Sequence, residues 1–223
     1  MLNKYLNVLC LSLLAFSPAS SQVTNRITLL AGTNLAWGAN DIEHYSTDSR
    51  YGYNAGFSIA KSERLGYSLG VVYSHNRAKY KMEEYSYQYH AVLRRNGIQS
   101  VSYIDFTPMI TYTPERSRFT IGIGIGYSLA IGAKSDGHYL ASENYGNGAF
   151  AYGEDYKIEN KKSFQRADWG GIVSTGISLT KGFGLEIQYR HGLTNITKND
   201  LSYLKTKRSS VSLFVSKTIW SKG

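Results

Sequence analysis

Phe119-Thr120-Ile121-Gly122-Ile123-Gly124-Ile125-Gly126-Tyr127-Ser128-Leu129-Ala130-Ile131-Gly132 is the stretch that decides the fold. Every odd position is large and apolar or aromatic, and every even position is Gly, Ser, Ala or Thr. A period of two is the side-chain period of a β-strand. A soluble sandwich would bury the large face and show a polar face to water. Here the second face carries no charge and little bulk. Small residues suit a crowded interior, since a barrel of about eight strands leaves just enough room for side chains to fill it. The large face then belongs in lipid.

The same alternation recurs on both sides of this run. Upstream, Ile27, Leu29, Ala31, Thr33, Leu35 and Trp37 form one face. Tyr51, Tyr53, Ala55, Phe57 and Ile59 form the next, followed by Leu65, Tyr67, Leu69, Val71 and Tyr73. Ile104, Phe106, Pro108, Ile110 and Tyr112 then face away from Tyr103, Asp105, Thr107, Met109 and Thr111. Downstream, Trp169, Val173, Ile177 and Leu179 mark a weaker run. Phe183, Leu185, Ile187 and Tyr189 oppose Glu186, Gln188 and Arg190, and Val211, Leu213, Val215 and Ile219 complete the set.

The connections alternate in length. Lys61–Arg64, Pro114–Ser117 and Thr180–Gly182 are short; stretches of about Gly38–Arg50, Arg77–Gln99, Lys134–Asp168 and Gly192–Lys205 are long. Short turns at one end and long loops at the other are the habit of outer-membrane barrels, with the long loops outside the cell. The expectation is an all-β, closed antiparallel transmembrane β-barrel of about eight strands in up-and-down order, in the cell outer membrane. An even strand number sends both termini to the periplasm. Closure requires Ile27–Trp37 to pair with Val211–Ile219, because lipid tolerates no open edge. Within the second long connection, Arg95-Asn96-Gly97 reads as a tight hairpin turn, and tyrosines 85, 87 and 89 as an extension of the ribbon.

Residues 1–21 read as a cleavable export signal. Lys4 gives a basic start, Leu6–Phe16 a mostly apolar run, and Ser17 to Ser21 the small residues before a cut ahead of Gln22. The apolar run is too short to span a bilayer, which takes roughly 20 residues. The barrel domain is then 22–223. Cys10, the only cysteine, lies inside the signal, which excludes an internal disulfide and zinc–cysteine sites. The 19 tyrosines suit strands and membrane interfaces. The net charge of +9 comes from scattered Lys and Arg, so it points away from nucleic acid and toward lipid phosphate, or serves loop solubility.

The segment 101–112, the Gly-rich run and Leu185–Ile196 together resemble the PorT-like outer-membrane β-barrel family of Bacteroidetes-type bacteria. In that family a strand ending in Ile/Leu-Pro precedes a short periplasmic turn, and Pro108 after Phe106 and Thr107 is a loose version of it. The family's penultimate strand carries a Tyr-Arg-x-Gly-Leu-x-Asn-Ile-like stretch, matched by Tyr189, Arg190, Gly192, Leu193, Asn195 and Ile196. The resemblance implies the barrel and carries no activity with it. One departure is Trp220, an aromatic near the C-terminus that is out of phase with Val211, Leu213 and Val215. A bulge near Lys217 would restore the phase.

Candidate chemistry is sparse. Gly122-x-Gly124-x-Gly126 lacks the third glycine and the following helix of a dinucleotide site. His44, His75, His90, His138 and His191 show no ligand spacing. No catalytic, cofactor-binding or metal-binding residue is assigned. Asp105, Glu186 and Arg190 are read as a lumen charge network, with Arg190 paired to Glu186 or to Asp105, because a lone buried charge is costly. Tyr139, Tyr145, Phe150, Tyr152 and Tyr156 lie in the third long connection, which is either a partner-binding surface or a flexible loop with ordinary aromatics. The function expected is a non-enzymatic outer-membrane barrel protein with a structural or interaction role carried by long extracellular loops. Its partners would be outer-membrane lipid and lipopolysaccharide, and a protein or glycan outside the cell. The alternatives are a lipid-modifying outer-membrane enzyme, a small pore, or a soluble lipocalin-like carrier.

Overall fold

A computed structural model describes residues 24–40, 45–62, 64–86, 91–145, 148–158, 167–195 and 206–222. The export signal at 1–21, the tyrosines at 87 and 89, and Ile196 lie outside these residues. The elements are β1 (Thr24–Asn40), β2 (Tyr45–Ser62), β3 (Leu65–Ser86), β4 (Ala91–Tyr112), β5 (Phe119–Tyr145), β6 (Gly148–Ile158), β7 (Ala167–Ser178), β8 (Phe183–Asn195) and β9 (Thr206–Lys222). A single 3₁₀ turn at Thr180–Gly182 joins β7 to β8. No helix of the described residues is long and apolar enough to cross a membrane, which says nothing against crossing with strands.

All pairings are antiparallel, and β1, β2, β3, β4, β5, β7, β8 and β9 close into a ring of eight. Closure runs through β1 and β9, with Leu35 opposite Val211 and Thr33 opposite Leu213. β6 stands outside the ring and pairs only with the far half of β5 among the described residues, Tyr145 opposite Gly148 and Ser135 opposite Ile158.

Two sequence expectations are corrected here and a third is met. The connection expected at Lys134–Asp168 is largely strand, because β5 continues to Tyr145 and turns back as β6. Its alternating Tyr139, Tyr145, Phe150, Tyr152 and Tyr156 therefore sit on a ribbon rather than in a loop. Arg95-Asn96-Gly97 is no turn. It lies inside β4, where Gly97 pairs with Tyr80 on one side and Gly137 on the other. A Cβ at Gly97 would meet the Asp136 carbonyl oxygen at 2.4 Å, so this glycine serves a close approach of strands. The bulge expected near Lys217 falls at Ile219, the extra residue between the pairs Ile27–Trp220 and Thr28–Thr218. It puts Trp220 opposite outward-facing Ile27 and so back in phase with the lipid side.

The outward face is apolar and uncovered. Ile123 on β5 is 64% exposed and Val173, its partner on β7, 50%, values that a soluble protein would not leave on neighbouring strands. Near the long-connection end an aromatic belt encircles this face. Tyr53 lies 6.0 Å from Tyr73, Phe106 6.3 Å from Tyr127, Tyr127 4.5 Å from Trp169, and Trp37 6.3 Å from Tyr189. Tyr67, Tyr112, Phe183 and Trp220 mark the short-turn end of the same band. The short turns are tied to each other: the Thr113 N–H donates to the Arg64 carbonyl at 3.0 Å, and Arg64 pairs with Glu115 at 2.9 Å.

The lumen is less uniformly small than the sequence suggested. Leu30, Val72 and Phe214 meet as an apolar layer inside it, and Ile172 and Tyr103 also point inward. The glycines of β5 make room for these larger neighbours.

Candidate functional site

The inward phase of four strands brings four charges to one level of the lumen. Asp105 comes from β4, Asp168 from β7, Arg190 from β8 and Arg208 from β9. Each arginine touches both carboxylates. Arg190 reaches Asp105 at 3.4 Å and Asp168 at 3.2 Å. Arg208 reaches Asp105 at 3.1 Å and Asp168 at 3.2 Å. Asp168 is fully buried, and Arg190 and Arg208 are each 4% exposed. Two positive and two negative groups in a closed square cancel, which is what makes burial of all four tolerable.

Neutral groups complete the shell. Ser74 and Ser128 donate to Asp105 and Thr194 donates to Asp168. Arg190 also donates to the carbonyls of Gly126 and Asp168. The Arg208 guanidinium lies 4.0 Å from the centre of the Tyr103 ring, a cation–π contact on a buried aromatic. Gly126 and Gly170, opposite each other on β5 and β7, form the notch that holds Arg190. A Cβ at Gly126 would stand 2.7 Å from Arg190 Nη1 and one at Gly170 3.0 Å from its Nε.

In the ring, β4 and β9 are four strands apart and hence face each other across the full diameter. The Asp105–Arg208 pair is therefore a strut through the lumen. Beside it the free space shrinks to about 20 Å³, lined by Asn34, Asn54, Asn76 and the ions themselves. That is room for about one water. On the short-turn side of the Leu30–Val72–Phe214 layer lies a cavity of about 380 Å³ whose wall is rich in Ser and Thr.

Asp105 and Arg190 thus meet, while Glu186 does not join them. It lies in the wall of the short-turn cavity, where it faces Arg26 and takes a hydrogen bond from Ser174. Four residues along a strand put it about 13 Å from Arg190, and β8 offers no bend that would close the gap. Asp168 and Arg208 were missed. Both are in phase with inward neighbours, Gly170 and Ile172 for the first, Ser210 and Ser212 for the second. Each, however, opens its strand where alternation has barely begun. Of the five aromatic residues on the β5–β6 ribbon, only the backbone positions are described.

On the outer face, His75 Nδ1 lies 2.9 Å from Ser102 Oγ, which also accepts from the Tyr73 hydroxyl at 3.0 Å. His191 Nδ1 lies 3.2 Å from Ser209 Oγ. Both contacts sit at the aromatic belt. Among the described residues no carboxylate contacts either imidazole to orient it. No group of three or more His, Cys, Asp or Glu suited to a metal ion occurs among the described residues.

A family model for the outer membrane protein beta-barrel domain matches residues 17–198. No curated protein sequence matches the chain. Among solved structures, the chain is similar to the Neisserial surface protein A, at 13% identity over 89% of this chain and 100% of that one, TM-score 0.41. It is similar to Ail, the attachment invasion locus protein of Yersinia pestis, solved in complex with the heparin analogue sucrose octasulfate, at 10% identity over 87% and 99%, TM-score 0.42. OprG from Pseudomonas aeruginosa gives 11% identity over 90% and 95%, TM-score 0.41.

Proposed function

The chain belongs to the outer membrane protein beta-barrel domain family, and from that premise we propose that it is a non-enzymatic barrel with a sealed lumen, working as a structural or interaction protein through its long-connection end. In this reading it is PorT-like in kind and is exported by residues 1–21. The short turns and both termini lie in the periplasm, and the β5–β6 ribbon faces outward, where Tyr139, Tyr145, Phe150, Tyr152 and Tyr156 would meet a protein or glycan partner. Its other partners are outer-membrane lipid and lipopolysaccharide.

The observation that carries the reading is the neutral Asp105–Asp168–Arg190–Arg208 square across the lumen. A pore would keep its charges solvated and its bore open. Here four ions, Tyr103 and an apolar layer occupy the bore. The test is conductance of the refolded barrel in planar bilayers. A sealed barrel gives no steady single-channel steps. Regular steps from the unaltered protein would move the function to a small pore. The enzymatic alternative rests on the Ser102–His75 contact. Hydrolysis of ester-linked lipid by the refolded protein, lost in Ser102→Ala, would establish it in place of the non-enzymatic reading.

A further inference from the structure

We infer that the cavity at the short-turn end is a binding site for a short zwitterionic peptide, of dipeptide size with both termini free, whose carboxylate pairs with Arg26 and whose ammonium pairs with Glu186. The site goes beyond the structural reading above; in that reading its mouth faces the periplasm.

Both charges line the cavity. Arg26 shares the inward phase of Thr28 and Leu30. Its partners on both edges, Ala60 on β2 and Ser221 on β9, line the same cavity. Glu186 stands on β8 between Gly176 of β7 and Phe214 of β9, which line it too. Each is the opposite charge that acts on the other. Yet among the described residues no ion pair closes between them, unlike the arginines and carboxylates of the square. A cation and an anion thus face each other across open space in the bore. Arg118 also lines the cavity, but it is exposed, where water screens it.

Ligand classes differ in what they leave behind. A neutral polyol would hydrogen-bond the wall and leave both charges without a counter-charge. A simple anion would answer Arg26 and repel Glu186, and a simple cation the reverse. A charge confined away from bulk water without its counterpart is costly. A zwitterion answers both. The cavity, about 380 Å³, sets the size. It lies near the lower end of the roughly 300–1,000 Å³ of small-molecule sites. Two extended residues hold their terminal charges about 7 Å apart, at roughly 3.3 Å per residue. That separation suits two side chains that do not touch.

The remaining wall fits a peptide between those ends. Gln188 Nε2 donates to the Met109 sulfur at 3.9 Å, a weak acceptor that leaves most of the amide's capacity for a peptide group. The Ser and Thr hydroxyls can turn as donors or acceptors. Leu30, Val72 and Phe214 form an apolar roof for a side chain. Above the roof the bore narrows to about 20 Å³ beside the charge square. The peptide is therefore held and not passed.

The test is isothermal titration calorimetry of the full refolded barrel in detergent with alanyl-leucine, N-acetyl-alanyl-leucine and alanyl-leucinamide. Alanyl-leucine should bind saturably. The N-acetyl peptide lacks the ammonium and the amide lacks the carboxylate, and each should bind roughly tenfold or more weaker, the loss of one close ion contact. Glu186→Gln should weaken the free peptide and erase the discrimination against the N-acetyl form, while keeping that against the amide. Arg26→Gln should do the converse. A barrel merely loosened by substitution would not exchange its preferences in this way. Equal binding of the three peptides by the unaltered protein, or no saturable binding of alanyl-leucine, would overturn the site without recourse to any variant. Tighter binding of the N-acetyl peptide than of the free one would make this an anion site and overturn the zwitterion. Folded variants with unchanged preferences would place the peptide elsewhere and overturn the assignment to Arg26 and Glu186.

Discussion

Taking away the Arg208 guanidinium leaves Asp105 and Asp168 with Arg190 alone between them. One negative charge is then uncompensated in a bore with room for about one water. Breaking a buried ion pair by removing one partner costs about 3–5 kcal/mol. Arg208→Ala should lower unfolding stability in detergent by that order, read as the urea midpoint of the folded, heat-modifiable gel band. Asp168→Asn, which keeps its shape and loses its charge, should also destabilise, because Arg190 and Arg208 then share one carboxylate. Gly126→Val addresses the same square from the backbone side. Its side chain would fill the notch that Arg190 occupies, so the arginine must leave its carboxylates or the strands must part. Overpacking of this kind costs typically 1–3 kcal/mol, with the lost ion contacts added. Unchanged urea midpoints for Arg208→Ala and Gly126→Val together would mean that the lumen is wet. Half of the square was readable beforehand. Asp105 and Arg190 each sit mid-strand with inward neighbours on both sides. Asp168 and Arg208 stand at strand starts, where parity has too few neighbours to be counted.

At the scale of the element, alternation identified every strand of the ring, because a lipid-facing row admits little else. It failed at the ends. The β5–β6 ribbon rises beyond the band, loses the requirement for apolar residues on one side, and so reads as loop. The Asn96-Gly97 pair mimics a hairpin turn, yet its glycine answers to the close carbonyl of Asp136 on the neighbouring strand. Such a contact across strands leaves no local trace. Register is checkable by crosslinking. Cys10 lies in the segment read as signal, so a mature barrel would bring no competing thiol. Leu35→Cys with Val211→Cys should form a disulfide and shift mobility, whereas Leu35→Cys with Ser212→Cys should not, since a one-residue slip moves the second thiol to the lumen. The opposite result would put β1 and β9 out of the described register. Because β6 pairs with β5 alone among the described residues, replacing Gly148–Ile158 by a short Gly/Ser linker should leave a heat-modifiable barrel. Loss of the folded band would show that β6 belongs to the ring's stability.

For the molecule as a whole, a sealed bore predicts that Arg190→Ser/Arg208→Ser yields conducting steps in planar bilayers where the unaltered barrel is silent. If the double variant stays silent, the Leu30–Val72–Phe214 layer is the true seal. The diametric strut also has a history along the chain. Both carboxylates arrive on the first six strands of the ring, Asp105 on β4 and Asp168 on β7. Both guanidiniums arrive on the last two. Until the final hairpin enters, the nascent bore carries two unanswered negative charges. When β9 zips against β1, the open edge and the charge imbalance vanish in one step. Synthesis order thereby makes an unfinished barrel conspicuous: a chain ending before Thr206 should stay protease-sensitive in the envelope, even with seven of its eight staves complete.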